Sequence, residues 1–153
     1  MDSHAASAAS TQLRKRLGFG RQSGSRGEDA VVRDQLLVVD DEAADRLLIR
    51  RILADGATVG LELIEAETAQ DAVEQLRGGR IACMLIDHML PDMTGLDLLS
   101  MLANIEPVGL VLISGVMDVP LSRDAIRLGA HDVLPKDDLD TSRLSLSIHA
   151  AIG

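Results

Sequence analysis

From Gln35 to the C-terminus, short apolar runs alternate with stretches of helical periodicity. Leu36-Leu37-Val38-Val39 is continuous and apolar, as suits a strand covered on both faces, and it stops at Asp40-Asp41-Glu42. Ala44, Leu48 and Ile52 then recur at i, i+4 and i+8 with Asp45, Arg46 and Arg50 on other faces. This predicts an amphipathic helix with Ala44, Leu48 and Ile52 as its stripe, ending near Asp55-Gly56. Gly60 to Ala66 alternates as a strand does, and Thr68 to Gly78 reads as a capped helix with Ala72, Val73 and Leu76 inward. Cys83 to Ile86 is a second continuous apolar run, ended by Asp87. Pro91 and Gly95 punctuate the loop that follows, Thr94 caps the next helix, and Leu96, Leu98, Leu99 and Leu102 form its apolar side. A strand is expected at Gly109 to Ile113, a helix at Asp118 to Leu128 and a short strand at His131 to Leu134. The last helix, Asp140 to Ile152, has Leu144, Ile148 and Ala151 inward, Leu146 outward, and Asp137 and Asp138 as its expected capping acids. Five β and five α units in strict alternation predict an α/β fold: a (βα)5 doubly wound, five-stranded parallel sheet with right-handed crossovers and helices on both faces.

Residues 1–33 differ. They are rich in Ala, Ser, Gly and Arg without sustained periodicity, which predicts a disordered basic N-terminal extension ahead of a domain at 34–153. Leu13, Leu17 and Phe19 among Arg14, Lys15 and Arg16 offer only a short basic amphipathic element for an acidic partner or a membrane surface. The extension carries six basic side chains against three acidic ones, so of the net charge of −9 the remaining residues hold −12. A body this acidic repels phosphate backbones and argues against nucleic-acid binding. No apolar run reaches the length of a membrane span, and the N-terminus lacks the apolar stretch of a signal peptide. The single cysteine, Cys83, excludes an internal disulfide. The expectation is a cytoplasmic protein.

In open α/β sheets ligands bind at the carboxyl ends of the strands, and the candidate chemistry collects there. Asp40, Asp41 and Asp87 end two strands that neighbour each other at the switch point of such a sheet. Carboxylates ~4 Å apart repel by ~4 kcal/mol at an effective dielectric near 20. A hard divalent cation relieves that repulsion, and Mg²⁺ suits an all-oxygen site with positions left open for water and a phosphoryl group. Ser114 ends the fourth strand with a hydroxyl. Pro135-Lys136 ends the fifth with a mobile positive charge for a phosphoryl oxygen. With a metal among the acids, Asp87 is a candidate carboxylate nucleophile that forms an acyl phosphate. His88 reads as a loop residue pointing away, and His4, His131 and His149 have no metal-ligand spacing. Taken singly, Asp40 and Asp41 are ordinary helix-capping acids, Lys136 a surface lysine and Ser114 a turn residue; only their joint placement at strand ends points to chemistry.

The spacing of Asp40-Asp41, Asp87 with Leu90-Pro91 and Gly95, Ser114-Gly115 and Pro135-Lys136 resembles the receiver domain of bacterial two-component response regulators, over about Gln35 to Gly153. The resemblance implies the strand order 2-1-3-4-5. It implies that Asp87 is the phosphoacceptor, that Asp41 and Asp87 bind Mg²⁺ with the Met89 backbone carbonyl, and that Asp40 assists through water. Ser114 would contact the phosphoryl group and Lys136 pair with it. The implied partners are a histidine kinase or histidine phosphotransfer protein, docking near Leu47 and Arg51 of the first helix. A downstream protein would dock on the face of helix 4, strand 5 and helix 5. A monomer or weak homodimer is expected, with no output domain in this chain and no activity beyond self-catalysed phosphotransfer and slow dephosphorylation.

Two departures from the family involve three positions. Val133 stands where the family usually has a Tyr or Phe that swings inward on phosphorylation, and Phe19 is the one aromatic of the chain. Met89 and Val116 are apolar where they flank the path of an attacking water, which points to slow hydrolysis of the acyl phosphate. Two alternatives stand beside the phosphorylated module: an adaptor acting by protein binding with vestigial phosphorylation, and a small phosphohydrolase with Asp87 as nucleophile. The latter would want a general acid and an enclosing cap, and neither is evident in the sequence.

Overall fold

The computed structural model describes residues 32–54, 60–103, 105 and 108–153. The strands are β1 (Gln35–Val39), β2 (Glu62–Ala66), β3 (Ile81–Asp87), β4 (Gly109–Ser114) and β5 (Asp132–Pro135). They alternate with helices α1 (Ala43–Leu53), α2 (Ala69–Leu76), α3 (Gly95–Leu102), α4 (Val119–Arg127) and α5 (Thr141–Ile152), and a 3₁₀ turn at Lys136–Asp138 separates β5 from α5. All strand pairs are parallel, in the order β2-β1-β3-β4-β5, which is the doubly wound sheet expected. The register aligns Val39 with Ile86, Asp87 with Ile113 and Ser114 with Pro135, so the residues ending β1, β3, β4 and β5 share one edge.

Strand alternation sorts the core into two layers. Leu37, Val39, Met84, Ile86, Leu110, Leu112 and Val133 face one side, where α2, α3 and α4 cover them with Val73, Leu76, Leu98, Leu99, Leu121 and Ala125. Leu36, Val38, Cys83, Leu85, Val111, Ile113 and Leu134 face the other, beneath Ile49 and Leu53 of α1 and Leu144, Ile148 and Ala151 of α5. Burying a side chain of this kind contributes ~1.5–3 kcal/mol. Burial in this layer also pushes the Cys83 thiol up to about 12, so it stays protonated and inert.

Side-chain caps start four of the helices, with Thr68 and Thr94 where the sequence suggested them. Thr94 and Asp97 form a reciprocal capping box at α3, and Thr68, Asp118 and Asp140 each accept a backbone N–H at the start of α2, α4 and α5. Two expectations need correction. Asp137 and Asp138 do not cap α5; they lie in the 3₁₀ turn, and Asp140 caps the helix instead. The inner face of α1 is not Ala44, Leu48 and Ile52. Ile49 and Leu53 are buried, Ile52 packs partly against the same layer, and Ala44 and Leu48 are exposed. The true stripe has the same spacing one residue later and begins at Asp45, a charge that conceals it in the hydropathy pattern. Residues 1–31 and 55–59, with the expected extension, the Leu13, Leu17, Phe19 element and the Asp55-Gly56 helix stop, lie outside the described residues.

Gly95 holds the β3–α3 connection tight against the sheet. Its N–H donates to the His88 carbonyl at 2.6 Å, and a Cβ at this position would lie 2.6 Å from the Asp87 carbonyl oxygen and 2.7 Å from Leu112 Cδ1. Only a residue without a side chain lets α3 start this close to Asp87.

Candidate functional site

The carboxyl edge of the sheet brings Asp40, Asp41 and Asp87 together, with one oxygen from each lying within 4.8 Å of the others. Each position follows from local folding. Asp40 is the first residue past β1; its N–H donates to the Ala66 carbonyl, and its own Oδ1 accepts the Glu42 N–H at 2.9 Å. It is 2% exposed, whereas Asp41 points to solvent. Asp87 is the last residue of β3 and 6% exposed. Met89 follows in the loop, joined to Thr94 by an isolated antiparallel bridge.

Lys136 reaches into this group from the end of β5. Its Nζ lies 2.9 Å from Asp87 Oδ1, 2.9 Å from Asp45 Oδ2 and 3.3 Å from Asp40 Oδ2. Burial opposes the ammonium charge, but the hydrogen bonds to Asp45 and Asp87 and the charge of Asp40 outweigh it and hold Lys136 above the usual lysine range. Burial also raises the Asp87 carboxyl above its ordinary value, reinforced by Asp41 and Asp45 and opposed by Lys136. Asp40 is raised by burial too, against the pull of the Glu42 N–H and Lys136. Three carboxylates crowded together at one strand edge are a donor set that fits a hard divalent cation, because such an ion removes the repulsion among them.

Ser114 is buried at the end of β4, but its hydroxyl turns along its own loop. Oγ donates to the Val116 carbonyl at 2.7 Å and accepts the Val116 N–H at 3.0 Å. Its donor is therefore committed to the backbone, and donating to any ligand requires that bond to break. Met89 and Val116 are each 63% exposed. His88 sits in the loop after β3 and its Nδ1 is buried without a hydrogen-bond partner among the described residues, while His131 Nδ1 accepts the Leu110 N–H.

Three further residues shape the site. Asp45 pairs with Lys136. Arg46 donates from Nη1 to the Asp40 carbonyl at 2.8 Å and is itself held by Glu65 at 2.7 Å. Asp92 accepts the N–H groups of Ala69 and Gln70, which ties the loop after Asp87 to the start of α2. Asp45 and Arg46 follow Asp41 by one helical turn, the only sequence signal either carries; Asp92 carries none.

A family model for the response regulator receiver domain matches residues 36–148. Over 118 residues the chain is 35% identical to the transcriptional regulatory protein FixJ of Bradyrhizobium diazoefficiens, covering 76% of this chain and 56% of that protein. It covers 30% of each of two further curated relatives. The signal receiver domain of a putative LuxO repressor protein from Vibrio parahaemolyticus superposes with a TM-score of 0.70 at 25% identity, over 79% of this chain and 91% of that one. The beryllofluoride-activated NtrC4 receiver domain, a dimer in solution, gives 0.68 at 26% identity, over 76% and 95%. Sequence match and superposition thus cover the same α/β body that carries the acidic edge, and the chain belongs to the response regulator receiver domain family.

Proposed function

We propose that this chain is a phosphorylation-switched signalling module in which Asp87 is the phosphoacceptor. The observation that carries the reading is the convergence of Asp40, Asp41, Asp87 and the Lys136 ammonium at the carboxyl edge of one parallel sheet. A carboxylate oxygen of Asp87 attacks the phosphorus of a phosphohistidine on a histidine kinase or phosphotransfer protein. The new O–P bond forms as the P–N bond breaks, and the imidazole nitrogen leaves with the electron pair. Lys136 moves from the Asp87 carboxylate to a phosphoryl oxygen, and Ser114 exchanges the Val116 carbonyl for another. Asp41 and Asp87 would hold Mg²⁺ with the Met89 carbonyl, and Asp40 would assist through water. The ion supplies charge neutralisation to the phosphoryl oxygens.

Surface features support the proposed partners. Leu47 and Arg51 are exposed on α1, where a phosphodonor would dock, and Val119 and Ile126 of α4 and Leu146 of α5 are exposed on the helices of the proposed downstream face. Exposed Met89 and Val116 offer no polar group to orient a water, consistent with a slowly hydrolysed acyl phosphate. Among the described residues no helix is long and apolar enough to cross a membrane. The adaptor reading is favoured by one observation, the commitment of the Ser114 hydroxyl to Val116.

Incubation with acetyl phosphate and Mg²⁺ followed by intact mass measurement tests the assignment. The wild type is expected to gain one phosphoryl group, Asp87→Asn none. Equal uptake by Asp87→Asn overturns the phosphoacceptor, no uptake by the wild type favours the adaptor, and multiple turnover of small phosphate esters favours a phosphohydrolase.

A further inference from the structure

We propose that Asp45 is a positioning residue for Lys136, holding its ammonium at the mouth of the acidic pocket and competing with the incoming phosphoryl group for it. This rests on the assignment of Asp87 as phosphoacceptor and adds a residue to it. The first ground is stoichiometric. An ammonium has three donors, and Lys136 Nζ already faces three carboxylates, at 2.9 Å for Asp45, 2.9 Å for Asp87 and 3.3 Å for Asp40. A phosphoryl oxygen can gain Lys136 only by displacing one of them.

The second ground is placement. Asp40 and Asp87 are buried at the strand ends, whereas Asp45 lies on the first turn of α1 with its side chain 32% exposed, so its pull on the ammonium comes from the mouth of the pocket. The third is the register of α1. Asp45 leads the stripe continued by Ile49 and Leu53, where an apolar residue would extend the packing, and its one ion pair among the described residues is with Lys136.

When Asp87 becomes an acyl phosphate, the esterified carboxyl loses its charge and the phosphoryl oxygens become the stronger attraction. Asp45 then holds the opposite side of the ammonium. With Asp45 neutralised, the ammonium answers to the phosphoryl group alone on the open side, and the pocket mouth repels an anionic donor less. A first-turn acid also complements the helix dipole, the ordinary reason for an aspartate here. Glu42, the exposed residue preceding α1 whose side chain makes no capping bond, provides the control for that reason and for net charge.

The test compares Asp45→Asn, Asp45→Glu and Glu42→Gln in the full chain, first confirming by circular dichroism that each is folded. With acetyl phosphate as donor, Asp45→Asn is expected to lower the half-saturating concentration about threefold to tenfold while leaving the limiting rate near wild type. Asp45→Glu should restore the wild-type value, and Glu42→Gln should match wild type. A readout without donor or metal is the side-chain ammonium resonance of Lys136, which should shift in Asp45→Asn and not in Glu42→Gln. Equal effects of Asp45→Asn and Glu42→Gln, or an unmoved Lys136 resonance, overturn the inference while normal phosphorylation of the wild type leaves Asp87 in place. Absence of any wild-type adduct removes the phosphoacceptor and this inference together.

Discussion

Burial sets the energetics of Asp40 and Asp87 before any ligand arrives. Both carboxyls are held above their ordinary range, with neighbouring acids reinforcing the effect and Lys136 opposing it. A carboxyl raised in the folded state binds its proton more tightly folded than unfolded, so its ionisation costs stability at neutral pH. That cost fades as pH falls through the folded value toward the ordinary one. Asp87→Asn, which keeps the shape and removes the charge, should therefore stabilise the metal-free protein at pH 7 by ~1 kcal/mol. The gain should shrink on acidification toward pH 4. Thermal melts in EDTA across that range check this, and a variant less stable than wild type at pH 7 would show that the pairing of Asp87 with Lys136 outweighs its desolvation. Asp41 is the exposed member of the cluster, and if it is a direct ligand as proposed, Asp41→Ala should abolish Mg²⁺ binding at millimolar concentration. An unchanged titration would count against the proposed metal site. At this scale the five residues that end strands were legible as candidates, because each interrupts an apolar run. Asp45, Arg46 and Asp92 were not, because their partners Lys136, Glu65 and the start of α2 lie 91, 19 and 23 or fewer residues away and meet them only in the fold.

Among elements, the connection from β4 to α4 is the part best placed to carry a signal. Ser114 closes a turn on Val116 with two hydrogen bonds, and α4 begins only three residues later behind its Asp118 cap. Recruiting the Ser114 hydroxyl to a phosphoryl group opens that turn, with Gly115 free to absorb the change in backbone angles. Val133 on β5 is 6% exposed within the layer under α4, β-branched and restricted in χ1, so it cannot sweep the arc of an aromatic ring. Ser114→Ala should weaken the beryllofluoride-induced NMR shifts of residues 115–125. Val133→Ala should leave those shifts and lower stability by about 2 kcal/mol through lost methyl groups. Loss of the shifts in a folded, beryllofluoride-binding Val133→Ala would route the signal through β5 instead. The helices were legible from caps and periodicity wherever an apolar residue led the stripe. At α1 a charged residue leads it, and the pattern alone selected the face one residue out of step.

For the whole chain, the proposed division places a basic extension at residues 1–33 ahead of an acidic body. An extension without a repeating apolar face contributes little to a core. Deleting residues 1–30 is expected to leave the melting temperature nearly unchanged, and a large drop would show that the segment packs on the domain. The matched region spans 56% of FixJ, so the activity and partners of that longer protein do not transfer with the fold.

The alternation of apolar runs with amphipathic periods determined the (βα)5 architecture, because strand and helix periods are local properties of neighbouring residues. Parallel strands then leave their carboxyl ends on one edge, which is why Asp40, Asp41, Asp87, Ser114 and Lys136 could be grouped from sequence. Tertiary structure alone decided how those groups use their bonds. It turned the Ser114 hydroxyl toward Val116, rotated α1 to bring Asp45 to Lys136, and shared one ammonium among three carboxylates. Such choices depend on distances of a few ångströms between elements far apart in the chain, and no local pattern encodes them.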